Sequence, residues 1–429
     1  MRSPTRGRLV AALLVLSFTA ASAQADAWTA LLRPGRVAPS APASLVIDTF
    51  QHDTPFVKQS TAGSAGPDLS EVLLGTRSWR ASTDGDGVQV NVRADGLAPL
   101  DLSDAFVRLR LKVAELARLH RLYLYLSHDG FETYDTYLVL RGDHAGAEAY
   151  ADDGEWVTVT TALGTPLNGA PVVDLTRVTG VQLSLVDDGE GPATVWLASL
   201  EAVQRPARGV VTVMFDDARS GVFELAVPLA QRFGVRASVA AIAELVGVEG
   251  FMTLEELQLL ERFAGWEVVA HHLTPLPGGG FDKLDRAALT AELQGIKRWM
   301  LEHGFVRGAD VIAYPYGGFD AASIEEVRRY FGAGRTILQS LGLETYPPAD
   351  PYRVRALSVT DTTTTEALRV AIDRAARERS WLVLVFHQFS NAAAQHDTEY
   401  SGVDFARVMA HLAAADVEVL TFSEAALGR

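Results

Sequence analysis

An unbroken apolar run, Val210-Val211-Thr212-Val213-Met214-Phe215, ends in two adjacent carboxylates, Asp216-Asp217. A run of this kind reads as a strand covered on both faces, which is the habit of parallel sheets flanked by helices. Neighbouring like charges raise one another's pKa, and burial raises them further. Two carboxylates at the end of such a strand therefore suit a site where one holds a metal and the other takes a proton.

The chain around this strand falls into two parts of different character. Residues 45–203 alternate with period two: Val107-Arg108-Leu109-Arg110-Leu111-Lys112-Val113 interleaves apolar and basic residues, and Leu122-Tyr123-Leu124-Tyr125-Leu126 interleaves aliphatic and aromatic ones. Turn signals such as Asp84-Gly85-Asp86-Gly87 and Asp187-Asp188-Gly189 separate short strands, which predicts an all-β sandwich of jelly-roll type. After Gln204-Arg205-Pro206 the pattern changes to apolar strands alternating with helices. Strands are expected at 210–215, 236–242, 266–271, 310–314, 335–339, 353–359, 381–387 and 417–422. Helices are expected at 253–263, 285–303, 322–331 and 365–378. That alternation predicts an α/β fold, a compact or incomplete (β/α) barrel, with its active site at the C-terminal ends of the strands.

The N-terminus reads as a targeting segment. Arg2, Arg6 and Arg8 precede an apolar stretch from Leu9 to Ala20, and Ala21-Ser22-Ala23 suits a cleavage site, with Ala25 or Ala27 as alternatives. Residues 1–23 are thus expected to be a signal peptide, and the Ala/Pro-rich 24–44 a linker. No other run is long and apolar enough for a membrane span, so a secreted or periplasmic protein is expected. The chain has no cysteine, which excludes disulfides and thiolate ligands and leaves His, Asp and Glu to hold any metal. Its net charge is −15, falling to −18 once the three leader arginines are removed, and no basic block remains. Nucleic acid and anionic membranes are poor partners for such a surface.

Chemistry-bearing residues fall on one rim of the expected barrel. Trp266-Glu267-Val268-Val269-Ala270 runs into His271-His272, Asp310-Val311-Ile312-Ala313 into Tyr314-Pro315-Tyr316-Gly317-Gly318, and Trp381-Leu382-Val383-Leu384-Val385-Phe386 into His387-Gln388. In this order the elements resemble the polysaccharide deacetylases of carbohydrate esterase family four, whose catalytic part is the NodB homology domain. The matching segments are Met214-Phe215-Asp216-Asp217, His271-His272-Leu273-Thr274-Pro275, Ala313-Tyr314-Pro315-Tyr316-Gly317, Tyr352-Arg353-Val354-Arg355 and Val385-Phe386-His387, all within residues 208–429. The Ala-Tyr-Pro-Tyr-Gly form is similar to the branch that deacetylates poly-N-acetylglucosamine, where the arginine of that turn is also absent.

The resemblance implies a metal-dependent hydrolase that removes N-acetyl groups from an amino-sugar polysaccharide, with a divalent cation, zinc first, as cofactor. Under it, Asp217 and His271 would be metal ligands and Asp216 the general base that deprotonates the attacking water. The Tyr316 N–H would meet the oxyanion, and His387 would be the general acid. Arg355, or else Arg353, would replace the lost turn arginine by pairing with Asp216, and Val385 would line the acetyl pocket. The sequence departs from the family at the second histidine ligand, where Pro275 and Leu276 stand. His272 is the substitute at hand, although successive strand residues point to opposite faces, so both rings reach one ion only if the strand is irregular there. Otherwise another residue contributes, or the site is degenerate and the protein binds glycans without cutting them. Hydrolysis of O-acetyl esters is a further alternative. Tyr123, Tyr125, Tyr134, Tyr137, Trp79 and Trp156 are candidates for a sugar-binding platform on the sandwich.

Overall fold

In the computed structural model, residues 32, 43–142, 149–276, 278–338, 343–391 and 396–428 are described. The expected signal peptide lies outside them, as does the expected linker apart from Leu32 and residues 43–44.

Eleven strands form two antiparallel sheets stacked on a shared apolar core. One contains β1 (Ser44–Asp48), β3 (Ser64–Asp68), β4 (Ser78–Ser82), β6 (Ala105–Val113), β9 (Trp156–Ala162) and β11 (Thr194–Gln204). Its order is β3-β4-β11-β6-β9, with β1 beside β11. The other is β2 (Val57–Lys58), β5 (Val90–Ala94), β10 (Gly180–Asp187), β7 (Leu119–Ser127) and β8 (Asp135–Arg141), in that order. Most successive strands change sheets, as in a jelly roll. The alternation read from the sequence sets the faces: Leu109, Leu111 and Val113 point into the core, while Lys112 reaches out to Glu71 at 2.8 Å.

The second architecture is a parallel barrel. Its strands are β12 (Gly209–Phe215), β13 (Ser238–Ile242), β14 (Glu267–His272), β15 (Gly308–Ala313), β16 (Ala333–Arg335), β17 (Leu357–Ser358), β18 (Trp381–Phe386) and β21 (Val417–Val419). They run in the order β16-β15-β14-β13-β12-β18-β17, with β21 beside the start of β12. A short parallel pair, β19 (Gln388–Ser390) and β20 (Glu399–Ser401), follows β18. Between β16 and the segment leading into β17 the ladder shrinks to one bridge, Arg335 with Val354. The barrel is incomplete at this seam.

Both faces of β12 are buried, which accounts for its unbroken apolar run. Val210 and Met214 join Ala240, Val269, Val311, Val383 and Val385 inside the barrel, while Val211, Val213 and Phe215 face the helical shell. Each buried Val, Met or Phe of this run contributes about 1.5–3 kcal/mol. The one polar member of the run, Thr212, accepts a hydrogen bond from Trp381 Nε1 at 2.9 Å. Helices Leu254–Phe263, Arg286–Glu302 and Thr365–Glu378 cover the outside, each started by a capping side chain: Thr253, Asp285 or Thr364.

The strand expected at 417–422 stops at Val419. Thr421 and Glu424 form a capping box there and start the helix Phe422–Leu427, which seats Phe422, Ala426 and Leu427 against Val210 and Trp381 in the barrel interior. The strand expected at 335–339 begins two residues earlier and is shorter, spanning 333–335, and that at 353–359 shrinks to 357–358. No helix among the described residues is long and apolar enough to cross a membrane.

Candidate active site

Period-two geometry carries four inward-facing rows off the ends of their strands. Met214, Val269, Ala333 and Val385 belong to the barrel interior, and the residues two further on are Asp216, His271, Arg335 and His387. Asp216, His271 and His387 line one cleft of about 520 Å³ at the C-terminal mouth, together with Asp217, Arg219, His272, Tyr316 and the apolar Ile242, Leu245, Leu276 and Ile337.

Residues outside those rows reach the cleft through backbone irregularity. Asp217 and Ala218 take positive φ, 67° and 54°, a strained conformation for non-glycine residues. This turns the second carboxylate into the mouth that Asp216 already faces. Tyr316 likewise has φ 55° within the Pro315–Gly317 turn, and its side chain is exposed beside the cleft. His272 owes its place to a bulge in β14: Ala241 pairs with Ala270 and Ile242 with His272, so His271 is an extra residue in the ladder. The rings of His271 and His272 consequently lie together, centroids 4.7 Å apart.

Asp217, His271 and His272 each offer a ligand atom within 4.8 Å of the others. Backbone carbonyls orient both imidazoles: Ala313 O accepts from His271 Nδ1 at 2.8 Å, and Thr274 O accepts from His272 Nδ1. Each ring thereby keeps the lone pair on Nε2 for a cation, the usual second-sphere arrangement for metal-binding histidine. Glu292, from helix Arg286–Glu302, accepts from the N–H groups of Leu273 and Thr274 at 2.9 and 3.1 Å and so pins the loop that follows His272. Two imidazole nitrogens, one carboxylate oxygen and an open side toward the cleft are a donor set that fits a catalytic divalent cation.

The electrostatics match this division of labour. Burial opposes ionisation of Asp217, but its contact with His271 more than offsets that and holds its carboxyl well below the ordinary range. Burial likewise works against a charged His271, yet Asp217 and Asp216 together raise its pKa. His272, desolvated and beside His271, is lowered to about 4 and is neutral near pH 7. His271 is thus the nitrogen at which a cation competes with a proton.

Asp216 is buried, and burial alone would raise its pKa; the Arg335 guanidinium outweighs this and keeps it below the ordinary value. Arg335 Nη2 donates to both carboxylate oxygens, at 2.5 and 2.7 Å. This corrects the expectation for Arg355. That side chain forks onto Glu344, at 2.8 and 3.0 Å, and Arg353 binds Asp350 at 2.7 Å and Glu155. Arg335 ends β16 and faces inward, whereas Arg353 and Arg355 flank inward-facing Val354 in the segment before β17 and point toward the sandwich. His387 Nε2 lies 3.8 Å from Asp216 Oδ2 across the mouth. Val385 sits in the barrel interior and is not among the residues lining the cleft; Ile242, Leu276 and Ile337 are.

On the sandwich, Tyr123, Tyr125 and Tyr134 gather on the solvent face of the five-stranded sheet, with centroid separations of 6.4 and 5.4 Å. Tyr137 and Trp79 are buried and therefore do not belong to that platform, and Trp156 lies on β9 of the other sheet.

No protein-family model matches the chain, and neither does any curated protein. Among solved structures, it is similar to the Xyl-CE4 domain of a multidomain xylanase from the hindgut metagenome of Trinervitermes trinervoides, at 15% identity and a TM-score of 0.36 over 51% of this chain and 89% of that one. It is also similar to a family 4 carbohydrate esterase from Streptomyces lividans solved with acetate, at 16% identity and a TM-score of 0.35 over 49% and 91%. A third similarity is to a family 11 carbohydrate-binding module of a cellulosomal cellulase of Clostridium thermocellum, at 12% identity and a TM-score of 0.26 over 38% and 96%.

Proposed function

We propose that this protein is an exported, metal-dependent deacetylase that hydrolyses N-acetyl groups of an amino-sugar polysaccharide. The observation that carries the reading is the pairing of two unlike carboxylates in one cleft: Asp217 grouped with His271 and His272, and Asp216 held by Arg335. A divalent cation bound by Asp217, His271 and His272, zinc first among the candidates, would supply Lewis acidity to the attacking water and the acetyl carbonyl.

The chain's own groups then divide the proton work. Asp216, kept ionised by Arg335, accepts the proton of the attacking water. The Tyr316 N–H, displayed by a left-handed turn at the cleft rim, donates to the oxygen on which negative charge develops. His387, on the other side of Asp216, protonates the departing amine. Apolar walls from Ile242, Leu276 and Ile337 suit the acetyl methyl group. Export rests on the basic and apolar leader.

The test is acetate release by zinc-loaded full-length protein from N-acetylglucosamine oligomers, with acetylated xylan alongside. The reading expects turnover of the oligomers that is lost in Asp216→Asn and in His387→Ala. Acetate release that survives both substitutions would overturn it, and turnover of xylan alone would reassign the enzyme to ester hydrolysis.

A further inference from the structure

On the side away from β15, Arg335 meets the barrel through a single bridge. That seam contains the Arg335–Val354 bridge with Thr336 N–H and Oγ1 donating to Val354 O at 2.9 and 3.1 Å, Val354 N–H to Gly334 O at 3.1 Å and Gly334 N–H to Pro351 O at 2.8 Å. By contrast, β12 and β18 are in register over six consecutive pairs. On its other side β16 is in register with β15 over all three of its residues, so the seam is its weaker flank, and loosening the seam frees the guanidinium to move relative to Asp216.

The residues flanking Val354 are gripped by the sandwich. Arg353, almost wholly buried, is held between Asp350 of its own segment and Glu155 just before β9. Arg355, anchored on Glu344, also donates to Thr160 O of β9 at 3.5 Å. Tyr150, buried at this contact, donates to Thr158 O at 2.6 Å. Asp152 accepts from Ala321 N–H, at the start of helix Ala321–Val327, at 2.6 Å. One face of the sandwich is therefore locked onto the segment that borders the seam.

We propose that the sandwich braces this seam, and that Glu155 is a positioning residue acting through Arg353 and Val354 on Arg335. The link to catalysis rests on the deacetylase reading; the brace does not. In this arrangement the sandwich is part of the catalytic unit, whatever else its surface binds.

The experiment compares full-length wild type with Glu155→Gln, which keeps the shape of the side chain and removes its charge. With N-acetylglucosamine oligomers, kcat is expected to fall about tenfold with KM and zinc affinity unchanged, the scale of effect that loss of fine positioning produces. Combined with Arg335→Lys, it should cost no more than Arg335→Lys alone, because both act on one contact. Amide exchange at Thr336 and Val354 should quicken while β12 and the sandwich core stay protected. Asp104→Asn, which breaks a separate interdomain pair with Arg379, should leave all of these unchanged. Wild-type exchange at the seam in Glu155→Gln overturns the brace, and a wild-type kcat with faster exchange overturns its catalytic role. Wild-type protein inert on every acetylated glycan overturns the deacetylase reading instead, and exchange still decides the brace.

Discussion

Replacing Arg335 with methionine tests the assignment of Asp216 most directly. Methionine keeps the unbranched stem in the barrel interior and removes the cation that contacts both oxygens of the carboxylate. Unit charges about 4 Å apart at an effective dielectric near 20 attract by about 4 kcal/mol. At about 1.4 kcal/mol per decade, losing that attraction shifts the protonation equilibrium of Asp216 by up to about a thousandfold. The sign follows from the charge: without the guanidinium, the protonated carboxyl is favoured, and burial pushes the same way. The acid limb of kcat/KM, measured as acetate release at saturating zinc, should therefore move to higher pH in Arg335→Met. Activity near pH 6 should collapse and partly recover as the pH rises. Arg355→Met strands Glu344 as a buried charge, so it should lower the melting temperature and leave the limb in place. If the two variants give the same limb as wild type, Arg335 does not control the base.

Chelator-stripped protein should bind one zinc ion, and Asp217→Ala or His272→Ala should weaken that binding by at least about tenfold, since each removes one of three ligands. Because His271 has a raised pKa, binding near pH 6.5 should release a proton and tighten as the pH climbs; calorimetry in two buffers of different ionisation heat reads this directly. Glu267, buried between Ser238 and Ser423, has a raised pKa, so the unfolded chain ionises first. Stability from denaturant melts should then fall as the pH rises past 4.5, and Glu267→Gln should flatten that slope. Gly317→Ala places a methyl 2.3 Å from Ile337 Cγ1 at φ 67° and should destabilise the turn by about 1–3 kcal/mol; an unshifted melting temperature would count against the turn geometry. Tyr125→Ala in the full-length protein should reduce retention on an insoluble N-acetylated glycan, if the three-tyrosine face stacks on sugar rings.

Most of the barrel was legible because its strands are apolar on both faces and its helices open with capping residues such as Thr253 and Asp285. Arg335 was missed for a local reason. Gly332-Ala333-Gly334 has no bulky side chain and reads as a turn, so the strand was expected to begin at Arg335 rather than end there. The error is two residues, but it moves the arginine from the mouth of the barrel to its far end. Ala333 in fact packs in the interior row, and Gly334 is small because Tyr314 Oη would stand 2.2 Å from a Cβ there. With Arg335 out of contention, Arg355 was the nearest basic residue on a matching segment. Its true partner, Glu344, lies in an irregular stretch with no periodic signal.

The residues that depart from periodicity are also those the proposed chemistry depends on. Regular strands deliver Asp216, His271 and His387 to one mouth, but alternation alone would send Asp217 and His272 away from it. A left-handed backbone at Asp217 and an extra residue in β14 bring them back. Such geometry costs about 1–3 kcal/mol per strained residue and persists only when its surroundings enforce it. Here Met252 N–H holds Ala218 O, and Glu292 holds the loop after His272. A missing histidine at Pro275 or Leu276 is therefore compatible with a complete ligand set, because a bulge moves the second imidazole into place where the loop no longer supplies one. Deleting His271 restores β14 to regular pairing and moves His272 into the inward position two residues after Val269, so a single imidazole is left at the mouth and zinc affinity should fall by at least about tenfold, as for the loss of one ligand.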